Sequence, residues 1–219
     1  MIKARGRSLL TAVALGALSA CDMGGHVNGS INLAAGQSAG NLATVNGSIQ
    51  LGPGASAGSV RAVNGTLTLG EGARVQSLNT VNGSIRIANN ARVSAEVRTV
   101  NGSIQAAGNA RVGGAVENIN GSVTIDGAHV GGRVRTVNGA VTITNGARVD
   151  GDLLIEKAHG LWNWGSAKAP RVVIGPEAAV SGTLRFERAV RLYVSDRVKQ
   201  LGPIAGATPI TFSGDTPPD

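Results

Sequence analysis

A basic residue that directly follows alanine recurs along the chain and could bind an anion. Its occurrences are separated by 18 or 19 residues, and they are Arg74, Arg92, Arg111, His129 and Arg148. Guanidinium groups bind phosphates and carboxylates through paired hydrogen bonds. The spacing therefore predicts a possible anion-binding column for an anionic glycan or lipid. The simpler interpretation, which we favour, is that long basic side chains spread into solvent and cover apolar surface with their stems.

Two tryptophans, Trp162 and Trp164, lie close together between glycines. Such rings stack on sugars or lie in a membrane interface, so they are a second candidate for glycan or membrane contact. More commonly, a loop of this kind folds back and packs against the side or the end of the folded chain.

Catalysis requires clustered acids or a positioned base. Asp150 and Asp152 are the only close pair of aspartates, while His26, His129 and His159 lie far apart with no obvious partner. A polysaccharide lyase or hydrolase is therefore the function that the sequence favours least. We expect no enzyme activity, no metal site and no cofactor apart from a covalent lipid.

The amino terminus has the features of an export signal. Lys3, Arg5 and Arg7 precede a short apolar stretch, residues 9–18, and Cys21 follows Leu18-Ser19-Ala20. The stretch is too short for a membrane-spanning helix. The residues before and at Cys21 resemble the lipobox of bacterial lipoproteins. This resemblance implies a signal peptide over residues 1–21, a lipid on Cys21 and a short tether over residues 22–26.

Export and anchoring restrict location and partners. Asp22 resembles an inner-membrane retention signal, which favours the periplasmic face of the inner membrane in a bacterial cell envelope, with the outer membrane as the alternative. Without the signal, 17 basic residues remain against 13 acidic ones. We therefore expect a membrane partner through the lipid anchor and no nucleic acid.

The elements that carry these residues are set by a repeated tetrapeptide, Val-Asn-Gly-Ser or a close variant. It begins at Val27, Val45, Val63, Val81, Val100, Ile119 and Val137, at spacings of 18 or 19 residues. A nearly constant period in this range indicates a solenoid, in which each unit packs against its neighbours.

One unit, residues 63–80, shows how each coil is built. Apolar and polar residues alternate in three short segments, for example at Leu67 and Leu69, at Ala73 and Val75, and at Leu78 and Val81. Alternation of period two predicts strands with one buried face. The predicted fold is all-β, a single-stranded parallel β-helix of triangular section with about 18 residues per coil. At the usual strand spacing it would be a rod roughly 40 Å long.

Each Asn-Gly pair is predicted to turn the chain, because glycine, and less readily asparagine, accepts positive φ. Stacking would place the seven asparagines in one column with amides hydrogen-bonded from coil to coil. A ligand groove lined by amides is the less favoured alternative. A second outward column, Arg61, Asn79, Arg98, Glu117 and Arg135, has mixed charges that are expected to satisfy one another.

The predicted organisation places repeats over residues 27–156, a tryptophan-containing loop over 157–170, terminal coils and a cap over 171–201 and an irregular proline-containing tail over 202–219. No Asp, Glu, Lys or Arg occurs between Met23 and Val60. The first coils would therefore present uncharged open strand edges, which could support end-to-end self-association.

Two family resemblances follow. The recurring Thr-Val-Asn-Gly-Ser-Ile resembles adhesin-like β-solenoid domains of bacterial envelope proteins. Residues 146–153 and 175–184 resemble bactofilins, polymer-forming cytoskeletal proteins, which implies a right-handed β-helix that polymerises end to end. Bactofilins are typically cytoplasmic, whereas this chain carries an export signal. The leading hypothesis is an anchored envelope scaffold, and the alternative is a binding or adhesion module for an anionic envelope glycan or lipid.

Overall fold

The computed structural model describes residues 26–157 and 169–218, which form short β-strands. In chain order these are β1 (His26–Asn28), β2 (Ile31–Leu33), β3 (Leu42–Asn46), β4 (Ile49–Leu51), β5 (Ser56–Asn64), β6 (Leu67–Leu69), β7 (Arg74–Asn82), β8 (Ile85–Ile87), β9 (Arg92–Val93), β10 (Val97–Asn101), β11 (Ile104–Ala106), β12 (Arg111–Val112), β13 (Val116–Asn120), β14 (Val123–Asp126), β15 (His129–Val130), β16 (Val134–Thr136), β17 (Val141–Thr144), β18 (Arg148–Val149), β19 (Leu153–Ile155), β20 (Arg171–Ile174), β21 (Ala179–Val180), β22 (Leu184–Phe186), β23 (Arg191–Ser195), β24 (Gln200–Leu201), β25 (Ile204–Ala205) and β26 (Pro209–Phe212).

The strands stack as a parallel solenoid with three faces. The first face contains β9 and β12, the second contains β10 and β13, and the third is the ladder from β2 to β26. The long strand β7 bends around one edge, so its start pairs with β9 and its end with β10. About nine turns of about 19 residues give a rod of about 43 Å at the usual strand spacing. The predicted all-β solenoid is confirmed.

The core is made of the inward members of each alternating segment. Leu67, Leu69, Ala73 and Val75 are buried as predicted, and so is Leu78. These aliphatic side chains fill a thin interior because each coil needs only a few of them.

The prediction is wrong for Val81, a residue that is 41% exposed, while its neighbour Thr80 is buried. The inward position before the Asn-Gly corner belongs to a polar residue, because Thr80 Oγ1 donates a hydrogen bond to the Gly65 carbonyl at 3.2 Å.

Close stacking explains the glycine of the Asn-Gly corners better than positive φ alone. A Cβ on Gly65 would lie 1.8 Å from the backbone oxygen of Gly47 in the preceding coil. Gly47 has positive φ, but the paired asparagine Asn46 does not. The predicted turn is present, and its glycine is required chiefly because successive corners approach so closely.

The seven corner asparagines form the predicted ladder. From Asn46 onward, each side-chain Nδ2 donates to the Oδ1 of the asparagine in the preceding coil, over 2.9–3.1 Å; the members are Asn28, Asn46, Asn64, Asn82, Asn101, Asn120 and Asn138. All six bonds point the same way along the rod.

The carboxyl-terminal part is more regular than expected. The predicted irregular tail over 202–219 contains β25 and β26, which pair in parallel with β22 and β23. Proline did not prevent this, because Pro209 lies on the last strand, where no further coil needs its amide. Residues beyond Phe212 are held to the rod by Arg171, whose guanidinium donates to the Pro217 and Pro218 carbonyls.

Candidate functional site

The predicted arginine column is assembled on the first face. Register pairs join Arg74 to Arg92, Arg92 to Arg111, Arg111 to His129 and His129 to Arg148. The four arginines are exposed, and within the described residues none of them forms an ion pair. Like charges stacked about 4.8 Å apart repel one another. The column is therefore a surface that an anion would stabilise.

His129 differs from the rest of the column because it has an acidic partner. Its Nε2 lies 2.7 Å from Oδ2 of Asp150 in the next coil, and both side chains are 40–45% exposed. The expectation that His129 lacks a partner was therefore wrong. The sequence did not reveal this partner, because the two residues are 21 positions apart and meet only through the stacking of coils. A histidine–aspartate pair can exchange a proton with a bound group, but this pair lies on an open face.

The mixed-charge column on the second face is satisfied only in part by its own members, because its shortest ion pairs join Glu117 to Arg133 and Arg135 to Glu156, and both of these partners lie outside the column. Glu117 accepts from Arg133 at 2.7 Å and lies 3.9 and 3.7 Å from Arg98 and Arg135. The Nε of Arg135 donates to Glu156 Oε1 at 2.6 Å. This hydrogen bond is the main reason that the pKa of Arg135 is raised, so the guanidinium remains charged.

An apolar groove also lies on the second face, and sequence reasoning missed it. Val45, Val63 and Val81 are each about 40% exposed and form its aliphatic wall together with Val100. The groove encloses about 490 Å³, and Arg61 and Arg98 also line it. A linear apolar group would fit along it, with any anionic end close to these arginines. The signal was the valine of each repeat, which alternation alone had assigned to the core.

Several predicted positions lie outside the described residues. These are the lipidation residue Cys21, the sorting residue Asp22 and the tryptophans Trp162 and Trp164. In the described ranges, no group of three or more His, Cys, Asp or Glu is arranged to hold a metal ion. No helix of sufficient length and hydropathy to cross a membrane occurs there either.

Residues 157–170 interrupt the repeat at an informative place. They lie between β19 and β20, at the position where the repeat would place the next Asn-Gly corner, one coil after Asn138 and Gly139. The asparagine ladder therefore ends here.

Comparison of the chain with protein-family models, with curated proteins and with solved structures gives no match.

Proposed function

We propose that this chain is an anchored scaffold of a bacterial cell envelope: a lipoprotein held in the membrane through Cys21, whose solenoid is a rigid rod. The observation that carries the proposal is the continuous stacking of about nine turns on all three faces. The proposed location is the periplasmic face of the inner membrane, with the outer membrane as the alternative. The proposal includes no catalytic activity and no cofactor other than the covalent lipid.

Rigidity is the property that such a role requires. Each coil is bonded to the next by main-chain ladders, and the asparagine column adds a bond at every corner from Asn28 to Asn138. Bending the rod would open several of these bonds at once. The same features support a relationship to bactofilin-like or adhesin-like solenoids.

The proposal also includes end-to-end self-association, for which the two ends of the rod are not equally suited. In each coil, the residue that begins the strand after the Asn-Gly corner donates its backbone N–H to a carbonyl of the next coil; examples are Ile31, Ile49 and Leu67. Pro209 occupies the equivalent position on the last strand, so its ring takes the place of that donor. The uncharged amino-terminal edge, at β1 and β2, is therefore the favoured contact.

Membrane fractionation tests the anchor. We expect the full-length protein to remain with membranes in high salt and to be released by detergent, because acyl chains hold it. Cys21→Ala should appear in the soluble fraction, while Ser19→Ala, which keeps the cysteine, should behave as wild type. Membrane retention of Cys21→Ala would refute lipid anchoring.

Electron microscopy of the mature protein tests the rod and its self-association. We expect rods of about 43 Å, with pairs joined at one end as concentration rises. Asn32→Lys, on the amino-terminal edge strand, should abolish the pairs, because charge blunts open edges. Single rods at every concentration would remove self-association from the proposal.

The second candidate is a binding module for an anionic envelope glycan or lipid. The groove bounded by Val63, Val81, Arg61 and Arg98 favours a lipid, since it combines an apolar wall with positive charge. The arginine column, and Trp162 and Trp164 on sequence grounds, are the corresponding candidates for a glycan.

Binding measurements with paired variants distinguish the two ligands. If a lipid binds, Val63→Asn with Val81→Asn should weaken binding of a single-chain anionic lipid at least tenfold, and Arg92→Gln with Arg111→Gln should not. If a glycan binds, the arginine variant alone should lose binding to an acidic polysaccharide. Unchanged binding in both variants would reject the second candidate.

A further inference from the structure

The floor of the apolar groove on the second face offers no hydroxyl donor to a ligand. It contains the buried residues Thr44, Ala62 and Thr80. The Oγ1 atoms of Thr44 and Thr80 donate to the carbonyls of Gly29 and Gly65, at 2.9 and 3.2 Å. Both hydroxyl protons are therefore committed to the main chain. A ligand that enters the groove is bound there by apolar contact.

The valines of the groove form a line along the rod. Each of them precedes a corner asparagine, and those asparagines are register partners, so the valines stack at about 4.8 Å. From Val45 to Val100 the line is about 14 Å long. Val45, Val63 and Val81 are each about 40% exposed, whereas Val100 and Ile119 are less exposed. The exposed apolar surface is one residue wide, which suits a single extended acyl chain.

Positive charge is confined to one part of the groove. The neighbouring outward column has Ala43 at its amino-terminal end, and residues 24–59 contain no Asp, Glu, Lys or Arg. Arg61 and Arg98 follow, and each is a register partner of Asn79. Their backbones are therefore about 10 Å apart, with one amide side chain between them. The groove is uncharged toward the amino-terminal end of the rod and basic farther along.

Nearby acids leave these two arginines available. Arg61 is exposed, and it belongs to none of the ion pairs among the described residues. Arg98 lies 3.9 Å from Glu117, but that carboxylate lies closer to Arg133, at 2.7 Å. An exposed ion pair of this length contributes little to stability. Both guanidinium groups can therefore bind an anion at the groove.

The charge pattern favours an anionic ligand over a second copy of this chain. Two rods packed valine to valine in parallel would place each arginine opposite its own counterpart. In an antiparallel pair centred on Asn79, Arg61 of one chain would lie opposite Arg98 of the other. Like charges at close range oppose association. A molecule that is apolar at one end and anionic at the other satisfies both parts of the groove.

We propose that the groove binds a single-chain phospholipid of the lysophosphatidic acid type. Its phosphate lies between Arg61 and Arg98, and its acyl chain extends over Val63 and Val45 toward the amino-terminal end. A phosphate monoester carries a charge of about −1.5 to −2 at neutral pH, and its oxygens can accept from both guanidinium groups. A planar carboxylate suits one guanidinium fork. The volume of about 490 Å³ lies within the usual range of ligand pockets.

This inference rests on the second candidate function, lipid binding by the apolar groove, and adds the head group and the direction of the acyl chain. It does not depend on the anchored-scaffold proposal, because neither the covalent lipid nor self-association contributes to the groove. If the anchor is present, the proposed direction points the acyl chain toward the membrane.

Photo-cross-linking of the full-length protein in neutral detergent tests the site. The probe is a lysophosphatidic acid with a diazirine at the end of its acyl chain, and the same lipid without the diazirine is the competitor. We expect saturable labelling by one lipid per chain, mapped by mass spectrometry to residues 26–46. Labelling confined to residues 97–120 would overturn the proposed direction of the chain.

Paired variants separate recognition of the head group from apolar binding. Arg61→Gln with Arg98→Gln should raise the half-saturating lipid concentration at least tenfold, and so should Val63→Asn with Val81→Asn. Arg86→Gln, at an exposed position on β8, is the matched control and should be labelled like the wild type. Wild-type labelling of the arginine pair variant would overturn the phosphate site and leave apolar lipid binding intact. Absence of saturable labelling in the wild type would reject both.

Oleate, which has a carboxylate head group, is the comparator ligand. It should displace the probe less effectively than lysophosphatidic acid does, because a carboxylate engages one guanidinium fork. More effective displacement by oleate would overturn the assignment of a phosphate head group.

Two other occupants of the groove would give different results. If the protein's own lipid filled it, Cys21→Ala would bind the probe at least tenfold more tightly than the wild type. If a second copy covered it, sedimentation would show a dimer that Val63→Asn with Val81→Asn dissociates. Either result would overturn the proposal.

Circular dichroism and the thermal midpoint of each variant verify that it is folded. Arg61→Gln alone, which leaves the contact between Arg98 and Glu117 in place, gives the result if the double arginine variant does not fold. Unchanged labelling of this single variant and of Arg98→Gln alone would then overturn the phosphate site.

Discussion

The guanidinium of Arg188 donates a hydrogen bond of 2.5 Å to Oδ1 of Asn138, the last asparagine of the corner ladder. Every ladder amide donates toward the amino-terminal end, so the final Oδ1 is an acceptor with no further asparagine beyond it. Aligned amides make that oxygen the negative end of a row of dipoles. Arg188, 50 residues away in the chain, therefore caps the ladder with a positive charge.

Removal of this cap should destabilise the rod locally. Arg188→Met loses the hydrogen bonds to Asn138 and to the Val137 carbonyl, at an expected cost of about 1 kcal/mol in the free energy of unfolding. Chemical denaturation measures the loss. Arg185→Met is the control, and an equal loss in both variants would indicate that the cap contributes nothing.

Ladder asparagines should contribute different amounts to the free energy of unfolding, according to their position. Asn82→Ala removes the bonds to Asn64 and to Asn101, whereas Asn28→Ala removes the single bond to Asn46. We expect losses of about 1–2 kcal/mol and about half of that, respectively, by urea denaturation. A larger loss for Asn28→Ala would contradict the additive ladder.

Glycine at the corner should be essential, whereas some other glycines should not. In Gly65→Ala the new Cβ would meet the Gly47 oxygen at 1.8 Å, so a loss of about 3 kcal/mol or more is expected. Gly108→Ala is the matched control. Its Cβ would lie 3.2 Å from the flexible Asn89 side chain, and the expected change is below about 1 kcal/mol. Thermal unfolding of both variants is the measurement.

Glu177 occupies a turn position with φ of 59°, where equivalent turns use Gly54, Gly72 or Asn90. Glu177→Asn should raise the free energy of unfolding by up to about 1 kcal/mol, because asparagine tolerates this conformation better. The exposed ion pair with Lys199 is lost, which subtracts little. Lower stability than the wild type would show that the ion pair outweighs the backbone strain.

The same glutamate should titrate abnormally. A side-chain hydrogen bond from Lys199 is the main cause that lowers the pKa of Glu177 below its ordinary value of 4.5. A lowered folded-state pKa means that the stabilisation is present above pH 4.5 and is lost as pH falls through the lower folded value. NMR titration of the carboxyl carbon should show the pKa rising toward 4.5 in Lys199→Met. Lys157→Met should leave it unchanged.

Local pattern was sufficient for most of the fold. Alternation around Leu67 and Leu69 and the Asn-Gly period predicted the strands, the coil length, the stacked asparagines and the register of the arginine column. These features depend on neighbours within one unit, and the repeat transmits them unchanged along the rod. The assignment of Val81 failed because the corner admits a buried Thr80, a choice that only the hydrogen bond to Gly65 explains.

The sequence by itself determined the solenoid, because period-two alternation and a constant repeat leave one way to bury a thin aliphatic core. Only the tertiary structure decided which residues far apart in the chain become neighbours. His129 with Asp150, Arg188 with Asn138, and Arg171 with Arg191 are each separated by 20 to 50 residues. Their contacts depend on how irregular turns and an insertion add to the coil length, and no local pattern encodes that sum.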